Sequence, residues 1–134
     1  PVRFLLDTNV CIEMIRGKPD RILSRLRRYR PGDVGISSIT LAELWHGVAK
    51  SRNPEGNGAA LEGFLLPLEV FDFGEAAALA YGAVRASLEK AGTPIGAMDT
   101  LIAAHAVSLG VTLVTSNTRE FRRVKPLIVV DWTR

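Results

Sequence analysis

The stretch Val2-Arg3-Phe4-Leu5-Leu6-Asp7-Thr8-Asn9 decides the fold. Its apolar run is short and stops abruptly at polar residues, as a strand buried on both faces of a parallel sheet does. Thr8 and Asn9 offer side-chain oxygens that could cap a helix directly after it. In open α/β sheets, ligands gather beyond the carboxyl ends of the strands. Asp7 is therefore a carboxylate where such folds do chemistry, unless it serves only as a turn or capping residue.

Outward from this stretch, strand and helix patterns alternate. Further strands are expected at Val34-Gly35-Ile36-Ser37-Ser38, at residues 68–72, at Val111-Thr112-Leu113-Val114-Thr115 and at Leu127-Ile128-Val129-Val130. Helices are expected at residues 9–16, stopped by Gly17, and from Pro19 with Ile22, Leu23 and Leu26 on one face. Others follow at 40–49, 59–66, 75–91 and 99–109. Asn53-Pro54-Glu55-Gly56-Asn57-Gly58 reads as a loop and the most mobile segment, and residues 116–121 as a turn. The alternation implies α/β architecture with a parallel sheet and right-handed crossovers.

The 134 residues suit one domain spanning 1–134. No apolar run approaches the roughly 20 residues a spanning helix needs. There is no signal-peptide pattern. The single cysteine, Cys11, excludes an intrachain disulfide, suits a reducing cytosol and reads as a small core residue. Together these make a cytoplasmic protein the expectation. Net charge is +3, and Arg16, Lys18, Arg21, Arg25, Arg27, Arg28 and Arg30 concentrate it in one segment. A solvated helix face explains any one of them; the cluster also suits a polyanionic partner.

The acidic residues near element ends carry the chemistry. Asp7 follows the first strand, and Glu43 stands in what reads as the first turn of the helix after the second. Asp99 opens a helix, and Asn117 and Glu120 follow the fourth strand. Each has a structural explanation. Thr40-Leu41-Ala42-Glu43 and Asn117-Thr118-Arg119-Glu120 resemble capping boxes, and Asp99 could face a helix dipole. Collected at one sheet edge, however, such carboxylates repel one another unless a cation neutralises them. Oxygen ligands without cysteine or a suitably spaced histidine select a hard ion, Mg²⁺ or Mn²⁺. The bottom-up reading is a metal-dependent α/β hydrolase acting on a phosphate-bearing substrate.

Four motifs in order then carry a family resemblance: Leu6-Asp7-Thr8-Asn9, Ser37-Ser38-Ile39-Thr40-Leu41-Ala42-Glu43-Leu44, Gly96-Ala97-Met98-Asp99-Thr100-Leu101-Ile102-Ala103 and Val114-Thr115-Ser116-Asn117-Thr118-Arg119-Glu120-Phe121. The chain resembles the PIN-domain ribonucleases, specifically VapC-type toxins of bacterial toxin–antitoxin pairs, over nearly its whole length. The resemblance implies a PIN-like three-layer α/β/α fold with a central parallel sheet of four or five strands. It implies Asp7, Glu43 and Asp99 as metal-site carboxylates, with Glu120 as the fourth catalytic acid and Asn117 in support. Thr8 and Thr115 would hold the carboxylates or waters. The implied reaction is Mg²⁺-dependent endonucleolytic cleavage of RNA, with Mn²⁺ able to substitute. A tRNA anticodon loop is the expected target, that of initiator tRNA included. Arg119, Arg85, Arg16 and Lys18 are the substrate-contact candidates. Implied partners are a VapB-like antitoxin that neutralises the toxin and a second copy in a homodimer within a larger toxin–antitoxin assembly. Operator DNA would be reached only through the antitoxin, in the bacterial cytoplasm and without a membrane.

Two other readings compete. A phosphoaspartyl domain also places an aspartate after its first strand, but a dehalogenase-type phosphatase needs a second aspartate two residues on, where this chain has Asn9. A non-catalytic PIN scaffold that binds RNA or protein is the second.

Overall fold

The structure, a computed structural model, describes residues 2–17, 24–30 and 32–133. Five strands form one wholly parallel sheet: β1 (Phe4–Leu6), β2 (Val34–Ser37), β3 (Glu69–Phe71), β4 (Thr112–Val114) and β5 (Val129–Val130). Their order is β3-β2-β1-β4-β5. Besides the helical residues 24–26, the described residues form helices α1 (Thr8–Ile15), α2 (Ser38–Ala49), α3 (Pro54–Leu65), α4 (Glu75–Lys90), α5 (Ala97–Leu109) and the short α6 (Thr118–Phe121).

The pleat produces the three layers. Successive side chains of a strand point to opposite faces. Leu5 and Leu113 accordingly join Val84, Leu88, Ile102 and Ala103 of α4 and α5 on one face. Their neighbours Leu6 and Val114 join Val10, Cys11, Met14, Leu44 and Leu61 of α1, α2 and α3 on the other. Leu5, Leu6 and Leu113 are fully buried, and each such side chain contributes roughly 1.5–3 kcal/mol by leaving water. Cys11 is buried, the core role its position suggested. Trp132 seals the second face: it stacks on Tyr29 at 5.6 Å between ring centroids and meets Phe4 edge-on at 5.2 Å.

Because β1 is central and the order runs outward on both sides, the chain leaves β2, β1 and β4 at one common edge. There α1, α2 and α6 begin, and Asp7, Glu43, Asn117 and Glu120 lie on or beside those exits.

Four local expectations are corrected. First, α1 is capped by Asp7, whose carboxylate accepts the Thr8 amide, and not by Thr8 or Asn9. Second, α2 starts two residues earlier than expected, with Ser37 as its cap accepting the Ile39 amide at 3.0 Å. No Thr40–Glu43 capping box can form within the helix, and Glu43 falls in its second turn. Third, residues 54–58 are helical. Asn53 caps α3 by accepting the Gly56 amide at 3.1 Å, and Pro54 takes the first position. Asn-Pro is a start signal here, since a missing N–H costs nothing at a first turn. Gly58 is buried beside α2, where an added Cβ would meet Trp45 and Val48 at ordinary contact distances of 3.6 and 3.7 Å, so the helix there does not depend on glycine. Fourth, residues 118–121 form a helix whose cap position, Asn117, makes no side-chain capping bond, so the second box is absent too. The helix expected from Pro19, with Ile22 and Leu23, lies largely outside the described residues; Leu26 is helical and half-buried.

Candidate active site

Asp7 is the most constrained member of the acidic group. Only 2% of it is exposed, yet both its carboxylate oxygens have donors. Oδ1 accepts the Thr8 amide at 2.8 Å and Oδ2 accepts the Thr115 hydroxyl at 2.8 Å. The Asn117 amide donates at 3.0 Å to the Thr115 oxygen, so the turn after β4 holds that hydroxyl in place. Burial raises the Asp7 pKa, the bonds from Thr115 and Thr8 partly counter it, and the Glu43 charge adds to the rise.

Glu43 is tied to the same strand end. Its Oε1 accepts the Thr8 hydroxyl at 2.6 Å. The Thr8 oxygen also lies 3.2 Å from that of Thr40, which is fully buried. Thr8 has one hydroxyl proton, so the consistent chain is Thr40 donating to Thr8 and Thr8 donating to Glu43. Thr40 is a residue that sequence reading missed: it was read as a helix cap, and the only signal was its presence in the second motif.

Asp99 stands in the first turn of α5, capped by the backbone of Gly96 with no side-chain bond. It is partly buried and accepts no hydrogen bond from a described residue. Its pKa is raised to about 6 by burial, then by the charges of Asp7, Glu120 and Glu43 in that order. The structure therefore brings Asp7, Glu43, Asp99 and Glu120 within electrostatic reach of one another. Asn117 contributes its backbone amide to Thr115, whereas Glu120 contributes charge that acts on Asp99.

No lysine or arginine among the described residues pairs with any of the four acids. Nor, among the described residues, do three Asp, Glu, His or Cys side chains stand ready-made to hold an ion directly. This donor set suits Mg²⁺, which keeps several waters and takes one or two carboxylates directly. Asp99, partly buried, without a hydrogen-bond donor among the described residues and raised by burial and three like charges, fits a cation that is held partly through water.

The basic candidates divide. Arg16 lines a groove of about 670 Å³ that opens at Thr8, Asn9, Glu43 and Met98 and runs between α1, α2 and α3. Arg119 is exposed beside Glu120 on α6. Arg85 is engaged on its own helix, bonded to Glu89 at 3.2 Å and to the Tyr81 hydroxyl at 3.0 Å. Lys18 lies outside the described residues.

The hydroxyl chain permits a direct check. Thr8→Val keeps the shape of the side chain but removes the donor to Glu43, leaving the carboxylate free to swing. Groups that hold a metal-binding carboxylate in place are typically worth about 10–100-fold in metal affinity or activity. Titration calorimetry with Mn²⁺ is expected to show a loss in that range for Thr8→Val and almost none for Thr8→Ser. Equal affinity in the valine variant would remove Thr8 from the site.

The fold and the acids have counterparts in known proteins. A PIN domain family profile matches residues 4–126. The chain is 46% identical over 132 residues to the tRNA(fMet)-specific endonuclease VapC of Shigella flexneri, covering 98% of this chain and 99% of that protein. The crystal structure of DNA-bound VapBC from Salmonella typhimurium superposes with a TM-score of 0.94 at 45% identity, covering 98% and 99% of the two chains. VapBC2 from Rickettsia felis, bound to a DNA fragment from their promoter, gives a TM-score of 0.92 at 41% identity over 98% and 99%. A parallel five-stranded PIN sheet with acids at its exit edge, and full-length likeness to these ribonucleases, place the chain in the PIN-domain family, among the VapC ribonucleases.

Proposed function

We propose that residues 1–134 form one PIN domain acting as a Mg²⁺-dependent endoribonuclease toxin, with Mn²⁺ able to replace Mg²⁺, in a bacterial cytoplasm. The observation that carries this reading is the charge balance of the acidic group: Asp99, raised to about 6 by burial and by three other carboxylates, has no cation among the described residues paired with it or with them. A bound divalent cation supplies Lewis acidity that lowers the pKa of water and offsets charge on the phosphate oxygens. Asp7, Glu43 and Asp99 would hold that cation, with Glu120 as the fourth acid of the group. Thr115 and the Thr8 amide orient the Asp7 carboxylate and partly counter the rise in its pKa, while the Thr8 hydroxyl fixes Glu43. Asn117 steadies Thr115 through its amide. Arg16 and Arg119 flank the acids and bind the phosphate backbone, with Lys18 and Arg85 as further candidates.

A relative named for tRNA(fMet) makes a tRNA anticodon loop the substrate to test first. Likeness to VapBC complexes supports a VapB-like antitoxin as partner, with a homodimeric toxin inside a larger assembly and operator DNA bound through the antitoxin. An antitoxin arginine would suit the carboxylate group through paired hydrogen bonds.

Purified protein incubated with bulk tRNA and excess Mg²⁺ is expected to give discrete fragments with 5′-phosphate ends. Excess EDTA should abolish them and added Mn²⁺ restore them. Cleavage that persists in chelator would overturn the mechanism; no cleavage with any divalent ion would favour a non-catalytic RNA- or protein-binding PIN module.

A further inference from the structure

Behind the acids, a second polar group joins elements that the sequence keeps far apart. His105 of α5 is 2% exposed, and its Nδ1 lies 2.8 Å from the Ser37 hydroxyl, itself fully buried. Ser37 caps α2, its oxygen already accepting the Ile39 amide. With no other acceptor for the Ser37 hydroxyl proton among the described contacts, the arrangement that uses it has Ser37 donating to Nδ1 of a neutral ring. Burial lowers the His105 pKa, in the sense that keeps the ring neutral. Phe73 meets the ring edge-on at 5.4 Å, and its amide donates to Ser38 at 2.9 Å. This node ties the end of β2, the start of α2, the segment after β3 and the middle of α5.

Its position relative to the acids is regular. Glu43 lies six residues along α2 from Ser37, and Asp99 lies six residues along α5 from His105. Each acid therefore stands about 9 Å of helical rise from the same hydrogen bond. Neither acid is bonded to the other's helix. Glu43 is bonded to Thr8, and Asp99 has no hydrogen-bond partner among the described residues. Among the described residues, the His105–Ser37 bond is the buried side-chain hydrogen bond that joins α5 to the cap of α2.

We propose that His105 is a positioning residue of the acidic site, its Nδ1 bond to Ser37 fixing the helix that carries Asp99 against the helix that carries Glu43. The proposal rests on the reading of these acids as a metal site.

The test compares two substitutions of similar polarity. In His105→Asn the carbonyl oxygen can take the place of Nδ1 and accept the Ser37 proton. In His105→Gln the amide reaches instead to the far side of the ring position. Mn²⁺ affinity by calorimetry, kcat and KM on RNA, and Tm are measured for each. The Gln variant is expected to bind Mn²⁺ about 10–100-fold more weakly, with kcat lowered and KM for RNA within about twofold. The Asn variant should recover most of the loss. Should the Gln variant not fold, Ser37→Gly deletes the same donor at small cost to the cap and must show the same loss. Equal Mn²⁺ affinity in all variants, or losses in Asn and Gln that only follow their Tm, would overturn the proposal. Wild-type protein that neither binds Mn²⁺ nor cleaves RNA would instead overturn the metal-site reading itself.

Discussion

Asp7→Asn is expected to lower RNA cleavage by at least about 10²–10³-fold while the chain stays folded. The substitution preserves shape and removes one negative charge from the most buried acid of the group. A divalent ion contributes several kcal/mol to a developing charge, and each 1.36 kcal/mol is tenfold in rate. Losing the central ligand should therefore cost two to three powers of ten or more. Stability should change little because two effects oppose. The amide oxygen can still accept one of the two donors that Asp7 now satisfies, the Thr8 amide or the Thr115 hydroxyl. The other then faces an NH₂, a mismatch of roughly 1–3 kcal/mol. Against that, a buried charge whose pKa burial raises is no longer present. Single-turnover cleavage beside a thermal melt measures both. A folded variant that cleaves within tenfold of wild type would show that Asp7 is only the cap of α1.

That cap role is real, and it shows why single motifs are poor guides. Asp7 caps a helix through Oδ1 and takes the Thr115 hydroxyl through Oδ2, so the structural and chemical readings of one residue coexist. The parallel sheet and its order follow from short apolar runs separated by helical patterns, which is why β1, β2 and β4 were legible at the outset. Helix starts were not. Ser37 looks like the end of a strand, and only the three-dimensional path reveals its oxygen over the Ile39 amide. Asn53-Pro54 looked like a loop because Gly56 and Gly58 have low helix propensity. The Asn53 cap and the burial of Leu61 one turn further on prevail over that propensity. Asp99 illustrates the opposite limit. Its motif was readable, but its approach to Asp7, Glu43 and Glu120 depends on α5 beginning at the same sheet edge, which no local pattern encodes. Thr40 and His105 were missed for a related reason: a buried hydroxyl or imidazole is visible only through partners distant in sequence.

Asp99→Asn should abolish cleavage as well, but its more distinctive effect is on stability. In metal-free buffer at pH 7.5 the variant is expected to melt higher than wild type. The sign follows from linkage. Asp99 in the folded chain loses its proton near pH 6, because of burial and the charges of Asp7, Glu120 and Glu43. In the unfolded chain an aspartate does so near about 3.9. Between these values the folded state holds more protons, so wild-type stability falls as pH rises from about 4 to about 6 and stays reduced above. Asparagine lacks that charge at every pH. The difference in Tm should therefore be largest above pH 6.5 and shrink toward pH 4, where a protonated Asp99 resembles its amide. Subtracting the two melting curves cancels the titration of the remaining acids to first order. Saturating Mg²⁺ should raise the wild-type Tm and narrow the gap, because a ligand that binds only the folded state stabilises it by mass action. It should move the variant far less. A wild-type protein more stable than Asp99→Asn at pH 7.5 without metal would show that the four acids do not repel one another, and the case for a cation among them would lose its physical basis.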